Sequence, residues 1–237
     1  MKTIGLITFI FTFSLLSFAQ DGKSYIEGTI SKDGQQIEGY IWRMGTTTGI
    51  DLSNESAPWE FQKTIRFISK EDFKSIKKVK YKYFPKVSPK DCDGYTYEGQ
   101  FYEAVKYADM SAAGAGMIAK RMFMKRISVD QISIYQHFDE PDVLIDASTI
   151  QNAQKPHIVY RIGKEGKLKI VHDMNVKKEL ADCQFVLDKY EKGQYKLFEK
   201  KDSNLLKKLA NTTVSNHDVR MQIIEDYNAN CGNQEMK

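Results

Sequence analysis

Cysteine is scarce in this chain, and the few cysteines lack the spacings of a chemical site. There are three, Cys92, Cys183 and Cys231. No two stand as C-x-x-C, which argues against a structural zinc or a dithiol redox centre. Histidine is as sparse. His137, His157, His172 and His217 never fall four apart on a helix, and no H-E-x-x-H occurs, so the helical zinc-hydrolase signature is missing. There is no G-x-S-x-G to mark a serine hydrolase. Charge of one sign is lacking too. A net charge of +4 on 237 residues is too small to imply a polyanionic partner, nucleic acid included. Beyond the first nineteen residues no apolar run is long enough to cross a bilayer.

Those first residues are the clearest signal present. Met1-Lys2 is followed by an apolar run from Ile4 to Phe18, and Ser17-Phe18-Ala19 gives the small-x-small pattern that a signal peptidase reads. The run is shorter than the roughly twenty residues of a membrane span, and the chain turns polar at Gln20-Asp21. The expectation is a cleavable signal peptide over residues 1–19 and a periplasmic or secreted mature chain without a transmembrane helix. No cysteine stands at the cleavage point to accept a lipid. Charged residues at 28% and hydrophobic residues at 41% suit a soluble globular protein.

From residue 20 to 174 the pattern is β-rich. Tyr25 to Ile30 and Ile37 to Trp42 alternate on either side of Asp33-Gly34, a strong hairpin signal. Lys63 to Ser69, Tyr95 to Tyr107, Met122 to Ile127 and Gln131 to Phe138 read as further strands. Ile158 to Ile162 and Leu168 to Val171 make a second hairpin. Met44 to Glu60 and Ser111 to Gly116 read as loops. Between Ser75 and Phe84, Lys78, Lys80 and Lys82 alternate with Val79, Tyr81 and Tyr83. Period two predicts a strand with lysines on one face and apolar groups on the other.

From residue 175 to 237 the period changes. Val176, Leu180, Cys183, Leu187 and Tyr190 share one helical face, with Asn175 as N-cap and Gly193 past the end. Leu205, Leu206, Leu209 and Ala210 mark a second helix. Val219, Ile223, Ile224 and Tyr227 mark a third, capped at Ser215 or Asn216. The expected fold is therefore α+β: a mainly antiparallel sheet followed by about three short helices packed on the same domain. An odd cysteine count leaves at least one thiol outside an internal bridge. Of the three bridges that can be drawn, Cys183–Cys231 is favoured because both cysteines lie in the helical tail.

Several short motifs recur in one group. They are Phe18-Ala19-Gln20, the Gly28 and Gly39 strands, Ile132-Ser133-Ile134-Tyr135, and Tyr227-Asn228-Ala229-Asn230-Cys231. Together they resemble secreted proteins of unknown function from Bacteroidota. The resemblance implies compartment and architecture, and brings no catalytic residues.

The remaining motifs have plain readings. Gly114 to Ala119 spells G-x-G-x-x-A, but no βαβ succession surrounds it, and a loop or tight turn is expected. His137 with Asp139, Glu140 and Asp142 reads as a solvated turn rather than a metal site. Cys92 lies between Asp91 and Asp93, whose charges disfavour a thiolate. Asn54 and Asn211 head chance sequons in a bacterial context. No cofactor is called for. Lys78, Lys80 and Lys82 form a candidate face for anionic ligands, although lysines on a strand also serve simply to block edge-to-edge pairing. The reading that follows is an exported cell-envelope protein, acting as a non-catalytic binding or structural module. Two alternatives stand beside it: a hydrolase of envelope glycan or peptide using separated carboxylates, and a carrier of an apolar ligand in a β-enclosed cavity.

Overall fold

The computed structural model describes residues 24–44, 57–108, 119–141, 147–195 and 206–232. The expected signal peptide, the Gly114-Ala115-Gly116 motif and the Asn54 sequon lie outside them. Ten strands form one antiparallel sheet. They are β1 (Tyr25–Lys32), β2 (Gln35–Trp42), β3 (Ile65–Ser69), β4 (Lys86–Val87), β5 (Gly94–Tyr97), β6 (Gln100–Tyr107), β7 (Lys120–Ser128), β8 (Ile132–His137), β9 (His157–Ile162) and β10 (Lys169–Ile170). Their spatial order is β10-β9-β8-β7-β6-β5-β1-β2-β3-β4. The chain enters in the interior at β1 and walks outward to β4. It then crosses back to β5 and walks the other way. Among the described residues five α-helices accompany the sheet: α1 (Lys70–Phe73), α2 (Ala147–Ala153), α3 (Val176–Glu179), α4 (Gln184–Glu191) and α5 (Leu206–Asn230). The architecture is α+β, with helices mostly at the C-terminal end. Among the described residues no helix is long and apolar enough to cross a membrane.

The β1–β2 hairpin forms as its sequence dictates. Asp33 and Gly34 both take positive φ, 51° and 76°, the twist-matched two-residue turn that Asp-Gly favours. Within this hairpin Gly28 pairs with Gly39, and these glycines are there for closeness. A Cβ on Gly39 would stand 2.1 Å from the Ile68 carbonyl and 2.5 Å from the Phe67 ring. The rings of neighbouring strands therefore lie directly on bare backbone.

One face of the sheet carries two cores. Around β1, β3, β5 and β6, Ile30, Ile41, Phe67, Tyr95, Tyr102 and Phe123 pack together. Tyr95 stacks on Tyr102 with centroids 4.8 Å apart, and Phe123 meets Tyr95 edge-on at 4.8 Å. Around β8 and β9, Ile132, Ile134 and Tyr160 pack against Leu180, Val186, Ile223, Ile224 and Tyr227 of the helical segments. A third cluster of Val105, Tyr107, Met124, Tyr135 and Val159 fills the opposite face at mid-sheet.

The structure departs from the sequence reading at three places. The alternating run Ser75 to Phe84 is not a strand; it contains only a 3₁₀ turn, Tyr81–Tyr83. The edge of β3 that it would need is taken by β4, where Ile65 pairs with Val87, and Phe84 is drawn inward to full burial. The single helix expected from Val176 to Tyr190 is broken at Leu180–Cys183 into α3 and α4. The break lets Leu180, Cys183 and Val186 all reach the core. Asn175 still caps, its side chain accepting the Lys178 N–H, and Gly193 still ends the segment with φ 65°. Conversely, the two helices expected after it are one. No Gly or Pro stands between Leu206 and Asn230 to interrupt α5, so Ser215 and Asn216 lie within it.

Cys183 and Cys231 are joined, with Cα atoms 5.7 Å apart, and Cys92 is a buried free thiol. The bond completes a clasp on α5. Tyr227 donates its hydroxyl to Asp182 at 2.7 Å. Asn228 accepts the Ile132 N–H at 2.8 Å and donates to the Ile132 carbonyl at 3.0 Å. Tyr227 and Cys231 thus both hold the break between α3 and α4, and Asn228 holds β8.

Candidate functional site

Among the described residues a cleft of about 830 Å³ has a lining that includes Glu103, Arg121, Arg126, Ser133, Tyr135 and Arg161. Strand register explains the convergence. Arg126 on β7 stands opposite Tyr135 on β8, and Ser133 on β8 stands opposite Arg161 on β9. Glu103 on β6 pairs with Met124, two residues from Arg126. Since alternate residues share a face, four neighbouring strands present polar groups to one place. A bulge sits at its rim: Arg126 and Ser128 on β7 face the consecutive residues Tyr135 and Ile134 on β8. Bulges re-aim side chains and end regular pairing, and here Ile127 and Val129 are left exposed.

Glu103 is the centre of the cleft. One oxygen accepts Arg161 Nη2 at 2.9 Å; the other accepts the Tyr135 hydroxyl at 3.0 Å and lies 3.3 Å from Arg126 Nη1. Arg126 also covers the Phe101 ring at 4.4 Å. Burial, with the Glu103 charge beside it, pushes the Tyr135 hydroxyl up to about 12, so it stays protonated and a donor through the physiological range. Arg161 Nε, at the cleft, is buried with no hydrogen-bond partner among the described residues.

None of this was singled out in the sequence. Glu103, Arg126, Tyr135 and Arg161 are scattered over fifty-odd positions, and only the pairing of four strands brings them together. The one usable hint was the central strand Ile132 to Tyr135, which supplies Ser133 and Tyr135.

The residues that the sequence did single out lie elsewhere. Lys78, Lys80 and Lys82 are exposed, on a loop rather than on a strand, so the expected separation from the tyrosines does not exist. Tyr81 and Tyr83 are exposed alongside them, at 52% and 44%. Cys92 is buried, and burial pushes its thiol up; Asp91 and Asp93 add to this, against a hydrogen bond from the Gly94 N–H and the charge of Arg121. The histidine cluster is a strand end: His157 Nε2 lies 2.8 Å and His137 Nδ1 3.6 Å from Asp139, while Glu140 pairs with Lys63 at 2.5 Å. Among the described residues no group of three or more His, Cys, Asp or Glu side chains is placed to hold a metal ion.

No protein-family model matches the chain, and the searches of curated proteins and of solved structures return no match.

Proposed function

We propose that this protein is an exported, non-catalytic module of the cell envelope that holds a polar ligand in the cleft around Glu103. The observation that carries the reading is the Glu103 clamp. Both carboxylate oxygens are already engaged by donors from β7, β8 and β9. A hydrolase working by two carboxylates needs one free to attack or accept a proton and another to donate one. Here the central acid instead fixes two guanidinium groups in place, which is preorganisation for hydrogen bonding. Export is supported by the signal-like start and by the Cys183–Cys231 bridge, since such bonds persist in oxidising compartments. The β-enclosed carrier has less behind it: β10 and β4 end the sheet without pairing to each other, and aromatic rings fill the interior.

The test has two arms. Fractionation with intact mass spectrometry should find a mature chain starting at Gln20, lighter by the two hydrogens of one disulfide. A cytoplasmic chain starting at Met1 would overturn the export reading. Calorimetric titration with soluble envelope glycan and peptide fragments should give saturable binding that Glu103→Gln weakens about tenfold, by loosening both arginines. Recovery of fragments with unchanged mass supports a binding module. Cleaved fragments would show a hydrolase instead.

A further inference from the structure

Charge is strongly segregated in this molecule, away from the cleft. Between Phe73 and Lys90 the chain carries seven lysines and no acidic residue. The whole protein has a net charge of +4, so everything outside this loop is acidic on balance. All seven lysines are exposed, and among the described residues none is in an ion pair. A solvated face normally intersperses both signs. Seven charges of one sign within eighteen residues create a local positive potential that the modest net charge conceals.

The loop also carries an ordered aromatic surface. The Arg66 guanidinium covers one face of the Tyr81 ring at 3.9 Å and is itself anchored by donating to the Phe84 carbonyl at 2.8 Å. Trp42 meets Tyr81 edge-on at 5.3 Å and Phe84 at 5.3 Å. Lys82 lies over the Tyr83 ring at 5.3 Å. Tyr81 is therefore held in place and half-exposed, with Lys80 and Lys82 as its immediate neighbours in the chain.

We propose that the Phe73–Lys90 loop is a docking surface for an acidic polysaccharide, with carboxylates of successive sugar units on the lysines and one sugar face on Tyr81. Two observations select this partner. A membrane-surface site buries aliphatic or Trp and Phe side chains, whereas the large exposed apolar groups of this loop are two tyrosines. Single-stranded nucleic acid stacks successive bases on several open rings, whereas here Arg66 covers one face of Tyr81 and Lys82 lies over Tyr83; a pyranose needs one ring only. The surface is separate from the cleft, and its role does not depend on what the cleft binds.

Affinity electrophoresis of the purified disulfide-bonded protein in gels containing sodium alginate, with neutral dextran as control, tests this. Alginate should retard the protein and dextran should not, and raising the salt should abolish the retardation. Lys78→Gln/Lys80→Gln/Lys82→Gln should weaken binding about tenfold or more, and Tyr81→Ala about fivefold. A charge-matched variant outside the loop, Lys155→Gln/Lys178→Gln/Lys192→Gln, should bind as the parent does. All these positions are exposed, and matching thermal unfolding checks that each variant is folded. Equal losses in the two triple variants would mean that only net charge matters and would overturn the site. Tighter binding to vesicles of anionic phospholipid or to single-stranded DNA than to alginate would overturn the partner.

Discussion

Around β1–β3 the sheet is covered by aromatic and aliphatic side chains lying on bare glycine backbone, whereas around β8–β10 it is covered by helices. In the first region most covering groups come from neighbouring strands, so the core is built largely by the sheet itself. In the second, Ile132, Ile134 and Tyr160 depend on segments far along the chain, among them Leu180, Val186 and Ile223. The difference lies in what must be held. Strand-borne rings are fixed by register, and only their space must be kept clear. A helical tail contributes little stability of its own and must be fastened. That is the work of Cys231, Asn228 and Tyr227, which tie α5 to Cys183, Ile132 and Asp182. The two halves should therefore fail differently, one by crowding and the other by unfastening.

The largest effect should come from the fastening. Cys183→Ser/Cys231→Ser opens a loop of 48 residues, and in the chain-entropy model that costs about 4 kcal/mol. Urea unfolding of the oxidised parent and of the variant measures it. A loss below ~1 kcal/mol would mean that the tail is held by packing alone. Next, Gly39→Ala places a methyl against the Ile68 carbonyl, backbone that cannot swing aside, for about 3 kcal/mol. The equivalent change at Gly34 meets open space, but its φ of +76° makes the cost one of strain, about 1 kcal/mol. If the two glycines cost the same, close approach is not what selects Gly39. Between the two glycine effects, Asn228→Ala leaves the Ile132 N–H and carbonyl without their side-chain partner beside a fully buried side chain, for about 2 kcal/mol. Asn228→Asp should recover part of this, because one oxygen can still accept.

The self-built half was the more legible in sequence. The Asp33-Gly34 turn, the strands flanking it and the strands from Tyr95 to Phe138 can all be read from alternation and turn chemistry, which are local. Alternation misled where a free edge was assumed: Lys78 to Tyr83 had the right period but no strand to pair with. In the tail, helical character was plain but the breaks were not. Leu180–Cys183 is bent by tertiary demand, not by a breaker residue, and α5 continues through good capping residues because nothing stops it. The cleft was not legible, since Glu103, Arg126, Tyr135 and Arg161 have no sequence relation except through register. Residues that carry a local pattern, Lys78, Lys80 and Lys82, could be found; residues that carry a constellation could not.

The smallest predicted effect separates the halves by acid. Glu179 and Asp226 both belong to the tail. Burial alone would raise the Glu179 carboxyl, but hydrogen bonds from Lys169, Tyr160 and the Asn175 N–H outweigh it and hold it below its ordinary 4.5. Burial likewise opposes Asp226, and Lys189 and Tyr195 hold it below its ordinary 3.8. A carboxyl depressed in the folded state stabilises fully above its unfolded value, and that contribution is lost as pH falls through the folded one. Acidification below about pH 4.5 should therefore loosen the tail first. In the self-built half the lowered carboxyl is Asp91, held by Ser88 at the surface, so acid has less to remove there. Trp42 lies on that side, edge-on to Tyr81 and Phe84, whereas Trp59 packs with Ile150, so in a Trp59→Phe variant the remaining fluorescence reports the self-built half, while helical circular dichroism is dominated by α4 and α5. The helical signal should fall at a higher pH than the tryptophan signal changes. Coincident transitions would mean that the continuous sheet couples the two halves into one cooperative unit, and that their different fastenings make no difference to how the molecule comes apart.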